Sequence, residues 1–318
     1  NNTICVYARD VIPLEFWKFK LGDLPEIPLI LSNANNWQTV RVPHDWAIDQ
    51  PFDMTIDMQV VQVLEDGDRK AKMRTGRTGA LPAFGIGWYL TEIPASASME
   101  GKCVRVEFDG AMSLSKVYLN GQYIGEWPYG YSSFAFDLTK YWKKGEANVL
   151  AVRLENKPES SRWYPGAGLY RNVRLVVTDP VHVGHWGTFV TTPEVSAKKG
   201  VVAVSTRIEN TTGMAQRIKL KTSLIDAQGK VLKSTTAIKQ MEGDTALFQQ
   251  QLSISRPELW SITNPTLYKL ISEVYVDNKL CDTYETDFGY RSIRLDKDHG
   301  FFLNGESVKL TGVCMHHV

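Results

Sequence analysis

The chain has 318 residues, of which 43% are hydrophobic and 22% are charged, so it is long enough to bury a large core and to form two or three domains. Its 36 Lys and Arg residues nearly balance its 35 Asp and Glu residues, which excludes the broad field that attracts nucleic acid or an anionic membrane surface. The longest apolar runs, such as VLAV at 149–152, are far shorter than the roughly 20 residues of a membrane-spanning helix. We therefore predict a globular protein with no nucleic-acid partner and no membrane insertion.

The first ten residues, NNTICVYARD, lack the basic start and apolar centre of a signal peptide. Because a processed chain would look the same, the compartment stays open, and a periplasmic or secreted location is favoured if a signal peptide was removed. The cysteines are scattered without a CxxC pair, which argues against a zinc site and gives no disulfide framework. We expect no metal and no cofactor.

Strand signals dominate the first part of the chain, where short alternating runs rich in Val, Ile, Tyr and Phe are separated by turn residues. The run KCVRVEF places Val104, Val106 and Phe108 on one face and Arg105 and Glu107 on the other. This period of two residues is typical of a half-buried strand.

The run KVYLNGQYIG predicts a hairpin, because Asn120-Gly121 is a dipeptide that a type I′ turn prefers. Two further strand patterns, NVLAVRLEN and NVRLVV, follow it. We predict that residues 1–178 form a two-sheet, jelly-roll-like sandwich.

Asp179-Pro180 marks a junction, since proline interrupts a strand ladder. Short alternating strands then continue to residue 290, and 179–290 are predicted to form an immunoglobulin-like β-sandwich, although no Cys-Trp-Cys core pattern is present.

The segment 291–318 has a different pattern from both sandwiches. FFLNGESVKL predicts a second hairpin around Asn304-Gly305, and the apolar run LTGVC at 310–314 predicts a strand after it.

Seven motifs together resemble glycoside hydrolase family 2, the family of β-galactosidases, β-glucuronidases and β-mannosidases. The resemblance runs from about Trp37 to the last residue, and the order and spacing of the motifs make it specific. The motifs are VPHDW (42–46), GIGWY (85–89), VYLNGQYIGEWPYGYSSFAFDLT (117–139), SRWYPGAGLYRNV (161–173), LWSITNPTLY (259–268), FGYRSI (288–293) and GFFLNGESVKLTGVCMHH (300–317).

The resemblance implies a sugar-binding-type jelly roll, an immunoglobulin-like domain and then a (β/α)₈ barrel that carries the chemistry. The chain is then all-β, and residues 291–318 supply the first strands of a truncated barrel, since a whole barrel needs about 250 residues. The two catalytic glutamates of the family have no counterpart here. Retaining hydrolysis needs two carboxyl groups about 5–5.5 Å apart, so this chain alone is expected to be inactive, with no catalytic residue of its own.

The resemblance also places the loop SRWYPGAGLYR at the mouth of the substrate pocket. The rings of Trp163, Tyr164 and Tyr170 can stack on a pyranose, and Arg162 can hydrogen-bond its hydroxyl groups. An alternative is that the loop glycines only make the turn, with Trp163 and Tyr170 packed beneath it.

His316 resembles the family's active-site histidine, which follows the first barrel strand and contacts a substrate hydroxyl group. A metal shared between His316 and His317 is disfavoured, because adjacent strand residues point to opposite faces. The same alternation separates His182 from His185, which we interpret as ordinary structural or surface residues.

Two other clusters invite a catalytic interpretation. EDGD at 65–68 holds three acids, but in a charged, glycine-containing loop where water solvates each carboxylate. In VPHDW, we expect Asp45 to cap backbone amides and His44 to pack against Trp46 rather than to form a catalytic dyad.

Three functions are compatible with the sequence: the N-terminal part of a family 2 glycosidase, a free-standing carbohydrate-binding module, and a scaffold of two β-sandwiches. The apolar run at 309–318 favours the first, because such a strand requires barrel neighbours. VPHDW and the cysteine of GVCMHH favour a β-galactosidase, with β-glucuronidase and β-mannosidase as alternatives. The expected partner is a β-galactoside-type glycan, and a homo-oligomer stays open.

Overall fold

The computed structural model describes residues 8–24, 34–51, 58–75, 84–94, 96, 99–158, 160–161 and 165–314, without the side chains of residues 58, 59, 74 and 75. The regular secondary structure of these residues is almost entirely β-strand, with a one-turn 3₁₀-helix at Thr139–Tyr141 and no α-helix among them. None of the helical structure in these ranges is long or apolar enough to cross a bilayer. The chain divides into two compact units, Val11–Val177 and Thr178–Val313, and Arg9 and Asp10 group with the latter.

The first unit is built from strands that are short and amphipathic, as the alternating sequence predicts. The strands are β1 (Arg9–Pro13), β2 (Phe16–Leu21), β3 (Gln38–Arg41), β4 (Met58–Glu65), β5 (Asp68–Thr75), β6 (Gly85–Ile93), β7 (Cys103–Phe108), β8 (Ser115–Leu119), β9 (Gln122–Trp127), β10 (Phe134–Asp137), β11 (Asn148–Asn156) and β12 (Val173–Thr178). They form a four-stranded sheet in the order β1-β12-β7-β10 and a six-stranded sheet in the order β3-β2-β6-β11-β8-β9, while β4 and β5 pair as a separate hairpin. Inward-facing residues of the two large sheets form one core, which defines the jelly-roll-like sandwich.

The six-stranded sheet is buried on both faces along β11. Leu150, Val152 and Leu154 belong to the main core, whereas Val149 and Ala151 pack with Trp88 and others in a second cluster. Burial on both faces explains why NVLAV is an unbroken apolar run rather than an alternating one.

Strand β7 confirms the predicted alternation on one face and corrects it on the other. Val104, Val106 and Phe108 are buried as expected, but Glu107 is buried too, although its alternation predicts exposure. Its carboxylate accepts hydrogen bonds from Arg105 Nε and Arg174 Nε, both at 3.1 Å. Burial of this charge is possible because two guanidinium groups stabilise it.

Both predicted Asn-Gly turns are confirmed. Asn120 and Gly121 have φ of 52° and 80° between β8 and β9, and Asn304 and Gly305 have φ of 52° and 84° in the hairpin near the end of the chain. Positive φ at both central positions is the requirement of a type I′ turn.

The second unit is a sandwich of longer strands. They are β13 (Val181–Val195), β14 (Lys199–Asn210), β15 (Gln216–Ile225), β16 (Val231–Met241), β17 (Thr245–Ser255), β18 (Tyr268–Val276) and β19 (Lys279–Phe288). They pair in the orders β13-β14-β17 and β16-β15-β18-β19, the three-plus-four arrangement of an immunoglobulin-like sandwich. Cys281 is buried there as a free thiol, so hydrophobic packing replaces the disulfide of antibody domains.

A polar layer divides the core of this sandwich into two apolar clusters. On each of the strands β14, β15, β17 and β18, one inward-facing polar residue lies between a residue of one cluster and a residue of the other. These polar residues are Thr206, Thr222, Gln250 and Ser272. Thr222 Oγ1 donates to Gln250 Oε1 at 2.6 Å, and Gln250 Nε2 donates to the Leu220 carbonyl at 3.2 Å.

A buried ion pair lies at one end of the same unit. Arg9 donates to both carboxylate oxygens of Asp282, at 3.0 and 2.7 Å, and its guanidinium lies 4.7 Å from the ring centre of Tyr284. Asp282 is fully buried and also accepts the Val183 amide at 2.8 Å. Because both of its oxygens are paired, the carboxylate is stable without water.

His182 and His185 are ordinary structural residues, as predicted. His182 is buried, with Nδ1 2.8 Å from the Asp179 carbonyl and Nε2 3.4 Å from Glu209. The hydrogen bond from His182 is the main cause that lowers the pKa of Glu209 to about 2, and Arg207 contributes as well. The side chain of Asn210, in the apparent glycosylation motif NTT, is buried and donates to the Met214 carbonyl at 2.8 Å.

Among the last described residues, the predicted hairpin is present and the predicted strand is not. Residues after 291 form a three-stranded sheet of β20 (Ile293–Asp296), β21 (Gly300–Leu303) and β22 (Glu306–Ser307). The strand predicted at 310–314 is wrong for this structure, since these residues are exposed and carry no ladder. No strand among the described residues pairs with them, so they lack the backbone partners that a strand needs.

The Asp282 pair predicts a large stability effect. Asp282→Asn leaves the Arg9 guanidinium buried without its counter-charge, so the free energy of unfolding should fall by about 3–5 kcal/mol in urea denaturation. The matched control is Glu285→Gln in the same strand, whose exposed pair with Lys269 should contribute less than about 1 kcal/mol. Equal effects of the two variants would contradict this assignment.

The lowered pKa of Glu209 predicts an acid-sensitive contribution to stability. Because the pKa in the folded state lies below the ordinary 4.5, the contribution is complete above about pH 4.5 and is lost as pH falls toward 2. Glu209→Gln should therefore be less stable than the native chain near neutral pH, and the difference should shrink between pH 4.5 and 2. Thermal denaturation at several pH values measures this, with Glu194→Gln in the exposed pair with Lys199 as control. A difference independent of pH would argue against it.

Candidate functional site

The predicted substrate contacts Arg162, Trp163, Tyr164 and His316 lie outside the described residues. Their predicted roles therefore stay predictions. The residues on both sides of 162–164 are described, however, and they define the surroundings from which the predicted contact loop starts.

The base of this loop is fixed by backbone hydrogen bonds. Gly168 and Met112 exchange N–H···O bonds of 2.9 Å in both directions, the His44 amide donates to the Leu169 carbonyl at 2.8 Å, and the Trp46 amide donates to the Ala167 carbonyl at 3.2 Å. Ala167 and Leu169 are fully buried. The chain thus enters the core immediately after the predicted contact residues.

Gly168 is required at this base. Its φ is 111°, and a Cβ atom there would lie 2.4 Å from the Tyr89 hydroxyl oxygen and 2.7 Å from the His44 carbonyl oxygen. Only glycine combines this backbone conformation with such a close approach. The glycines of PGAG therefore shape the turn of the loop, which is the role that the alternative interpretation of the sequence gave them.

Four aromatic residues flank the loop base, and we call Trp127, Tyr129, Tyr131 and Tyr170 the aromatic rim. The Tyr170 hydroxyl donates to the Gly130 carbonyl at 2.7 Å, and the Tyr131 hydroxyl donates to the Pro165 carbonyl at 3.4 Å. Tyr129 is 59% exposed and meets Tyr131 edge-on, with ring centres 5.7 Å apart.

The aromatic rim offers the chemistry that a sugar needs, because exposed tyrosine and tryptophan rings combine an apolar face with a polar edge. Tyr129 and Tyr131 lie within the family motif at 117–139, but neither was predicted as a site residue. The available signal was the density of aromatic residues around Pro128 and Gly130, in a segment that cannot continue a strand.

The floor beneath the loop is an aromatic cluster centred on Tyr89. His44 Nδ1 lies 2.7 Å from the Tyr89 hydroxyl oxygen, and Phe19 lies 4.9 Å from the His44 ring centre and 5.7 Å from that of Trp46. Burial lowers the pKa of His44 and raises that of Tyr89 well above its usual range, so both side chains are neutral at pH 7.

The motif VPHDW is therefore structural. Asp45 caps the turn, accepting the Ala47 amide at 3.0 Å, which confirms the predicted role. The ring of His44 contacts those of Phe19 and Tyr89, and its predicted packing against Trp46 stays a prediction. The buried hydroxyl of Tyr89 offers the imidazole a hydrogen bond, which an indole face does not.

The acidic cluster at 65–68 forms the turn of a hairpin. Glu65 is the last residue of β4, Asp66 and Gly67 form the exposed turn, and Asp68 is the first residue of β5. The Glu65 carboxylate pairs with Lys70 and Lys72. This confirms the interpretation as a solvated turn. No three His, Cys, Asp or Glu side chains in the described ranges are grouped to hold a metal ion.

Comparison with known proteins places both units among the domains of glycoside hydrolases. The family model of the glycosyl hydrolases family 2 sugar binding domain matches residues 16–179, and the model of glycosyl hydrolases family 2 matches residues 181–291. The chain belongs to glycosyl hydrolase family 2.

Its relatives carry different activities. A beta-galactosidase of Bacteroides ovatus is 40% identical over 303 residues, covering 95% of this chain and 34% of the relative. A putative beta-glucuronidase of Formosa agariphila is 35% identical over 301 residues, covering 94% and 27%. The crystal structure of a family 2 member from Bacteroides cellulosilyticus superposes with a TM-score of 0.82 at 30% identity, covering 96% and 40%. The chain thus spans about a third of the length of the curated relatives.

The contact of Gly168 predicts a sensitive position. Gly168→Ala places an alanine at positive φ and brings its Cβ atom into a clash with two fixed oxygen atoms. The free energy of unfolding should therefore fall by about 2–5 kcal/mol. The control is Gly145→Ala, also at positive φ but with open space around it, which should cost about 1–2 kcal/mol. Urea denaturation followed by tryptophan fluorescence separates the two, and equal losses would count against the close-contact account.

Proposed function

We propose that this chain forms the sugar-binding and immunoglobulin-like domains of a retaining glycoside hydrolase that cleaves terminal β-galactosides. The observation that carries the proposal is the 40% identity to a beta-galactosidase over 95% of the chain, within an established family. The exposed aromatic rim supports a carbohydrate partner, since its rings can stack on a sugar at the edge of the pocket.

The division of labour follows from the chemistry of the reaction. In the proposed enzyme, residues 1–178 and 179–290 brace the barrel that begins at 291, and the two catalytic carboxylates belong to that barrel. Trp163 and Tyr164 stack on the substrate, while Arg162 and His316 hydrogen-bond its hydroxyl groups.

A β-glucuronidase is the second candidate. The 35% identity to a putative beta-glucuronidase over 94% of the chain favours it almost as strongly. A glucuronide differs from a galactoside by a carboxylate, so the two activities require different charges around the sugar's C6 position. A β-mannosidase and a free-standing carbohydrate-binding module are weaker alternatives.

Hydrolysis assays test the proposal. The polypeptide expressed from the complete reading frame should release 4-nitrophenol from the β-galactoside much faster than from the β-glucuronide, whereas the pure 318-residue chain should hydrolyse neither. His316→Ala in the longer polypeptide should lower kcat/KM by about tenfold or more through a lost substrate hydrogen bond, with His317→Ala as the matched control.

Each outcome is decisive. Faster glucuronide hydrolysis would replace the β-galactosidase by the second candidate. Turnover by the pure chain would show that the catalytic pair lies within these residues, and identical losses in the two histidine variants would remove the assigned role of His316.

A further inference from the structure

The outer face of the β13-β14-β17 sheet carries an exposed aromatic ring among uncharged polar side chains. Strand alternation turns every second residue of these strands away from the core. Two adjacent rows of outward-facing residues, read across the sheet, are Phe189–Ser205–Gln249 and Thr191–Ala203–Gln251. We call these six residues the Phe189 face.

The geometry of the Phe189 face suits a flat ligand. The ring of Phe189 is 70% exposed, and the small side chain of Ala203 in the next row leaves room beside it. The same residues line a shallow depression of about 480 Å³. Strands lie about 4.8 Å apart and successive outward residues about 6.6 Å apart, so the polar groups surround the ring at short range.

The polar side chains of the face keep their hydrogen-bonding capacity. Within the described residues, the side chains of Thr191, Ser205, Gln249 and Gln251 have no hydrogen-bond partner. The inward-facing Gln250, by contrast, is bonded to Thr222 and Leu220. The free amides and hydroxyls can therefore donate to and accept from a ligand without breaking existing bonds.

The side chains of the Phe189 face favour a neutral ligand over an ionic one. Neither row contains a charged side chain. The next outward residue on β14 is Arg207, whose guanidinium already pairs with Glu209 and donates to the His185 carbonyl at 2.9 Å. Leu247, opposite Arg207 in the next row, is half exposed, but the two rows of the Phe189 face hold one ring among amides and hydroxyls, and a protein partner would require a broader apolar centre.

We infer that the Phe189 face, which shares no residue with the candidate site of the first unit, binds a neutral glycan. The apolar face of one sugar ring stacks on Phe189, and Gln249, Gln251 and their neighbours hydrogen-bond its hydroxyl groups. The inference does not rest on the proposed β-galactosidase activity, since it needs neither hydrolysis nor galactose at the cleaved position.

Affinity electrophoresis of the 318-residue chain in gels containing β-1,4-galactan, β-1,4-mannan or xyloglucan tests the inference. At least one of these neutral polymers should retard the native chain, and polygalacturonate should not. Phe189→Ala should weaken the retardation by about tenfold, the size of a lost aromatic contact, and Phe189→Trp should retain it. In amide NMR spectra, the side-chain signals of Gln249 and Gln251 should shift on addition of a hexasaccharide of the retarding polymer.

Control variants separate this surface from the aromatic rim. Tyr123→Ala removes an exposed ring that belongs to neither surface and should be retarded like the native chain, whereas Tyr129→Ala removes a ring of the rim and measures what the rim itself contributes to the retardation. Because Phe189 is exposed, its variants should unfold at the native temperature, which thermal denaturation checks. Equal retardation of the native chain and Phe189→Ala, retardation lost only in Tyr129→Ala, or retardation by polygalacturonate alone would overturn the inference. So would a change of sedimentation in Phe189→Ala without glycan, because the face would then be a contact between copies.

Discussion

The candidate site depends on one close approach of backbone to side chain. Gly168 lies against the Tyr89 hydroxyl group and the His44 carbonyl group, where any other residue would collide. This contact lets the segment 165–170 bond simultaneously to Met112 and to the segment 42–46. The aromatic rim is then fixed to the same base through the hydroxyl groups of Tyr131 and Tyr170. Three motifs that are distant in sequence are thereby brought together.

Features that depend on local sequence were predictable. The alternation of KCVRVEF determines which side chains of β7 face the core, and the two Asn-Gly dipeptides determine their turns because few other residues accept positive φ twice in succession. The capping role of Asp45 is local as well, since the amide it accepts lies two residues away. The family motifs, taken together, also predicted the order of the two sandwiches.

Features that depend on distant partners were not predictable. The burial of Glu107 depends on Arg174, far along the chain, as well as on the local Arg105, and the partners of His44 come from two other strands. The apolar run after Val308 satisfies every local criterion of a strand, yet a strand also requires neighbours to bond with. The exposure of Tyr129 is likewise a property of the packed sandwich and not of its own segment.

The polar layer of the second unit has a consequence for how its strands find their pairing. Sliding one strand by two residues would keep every apolar side chain inside, so burial alone does not forbid it. Such a slip would, however, place Thr222 or Gln250 opposite an aliphatic neighbour and leave its hydrogen bond unmade. Thr222 and Gln250 thus mark the correct alignment of their strands, in a domain whose buried cysteine, Cys281, is a free thiol.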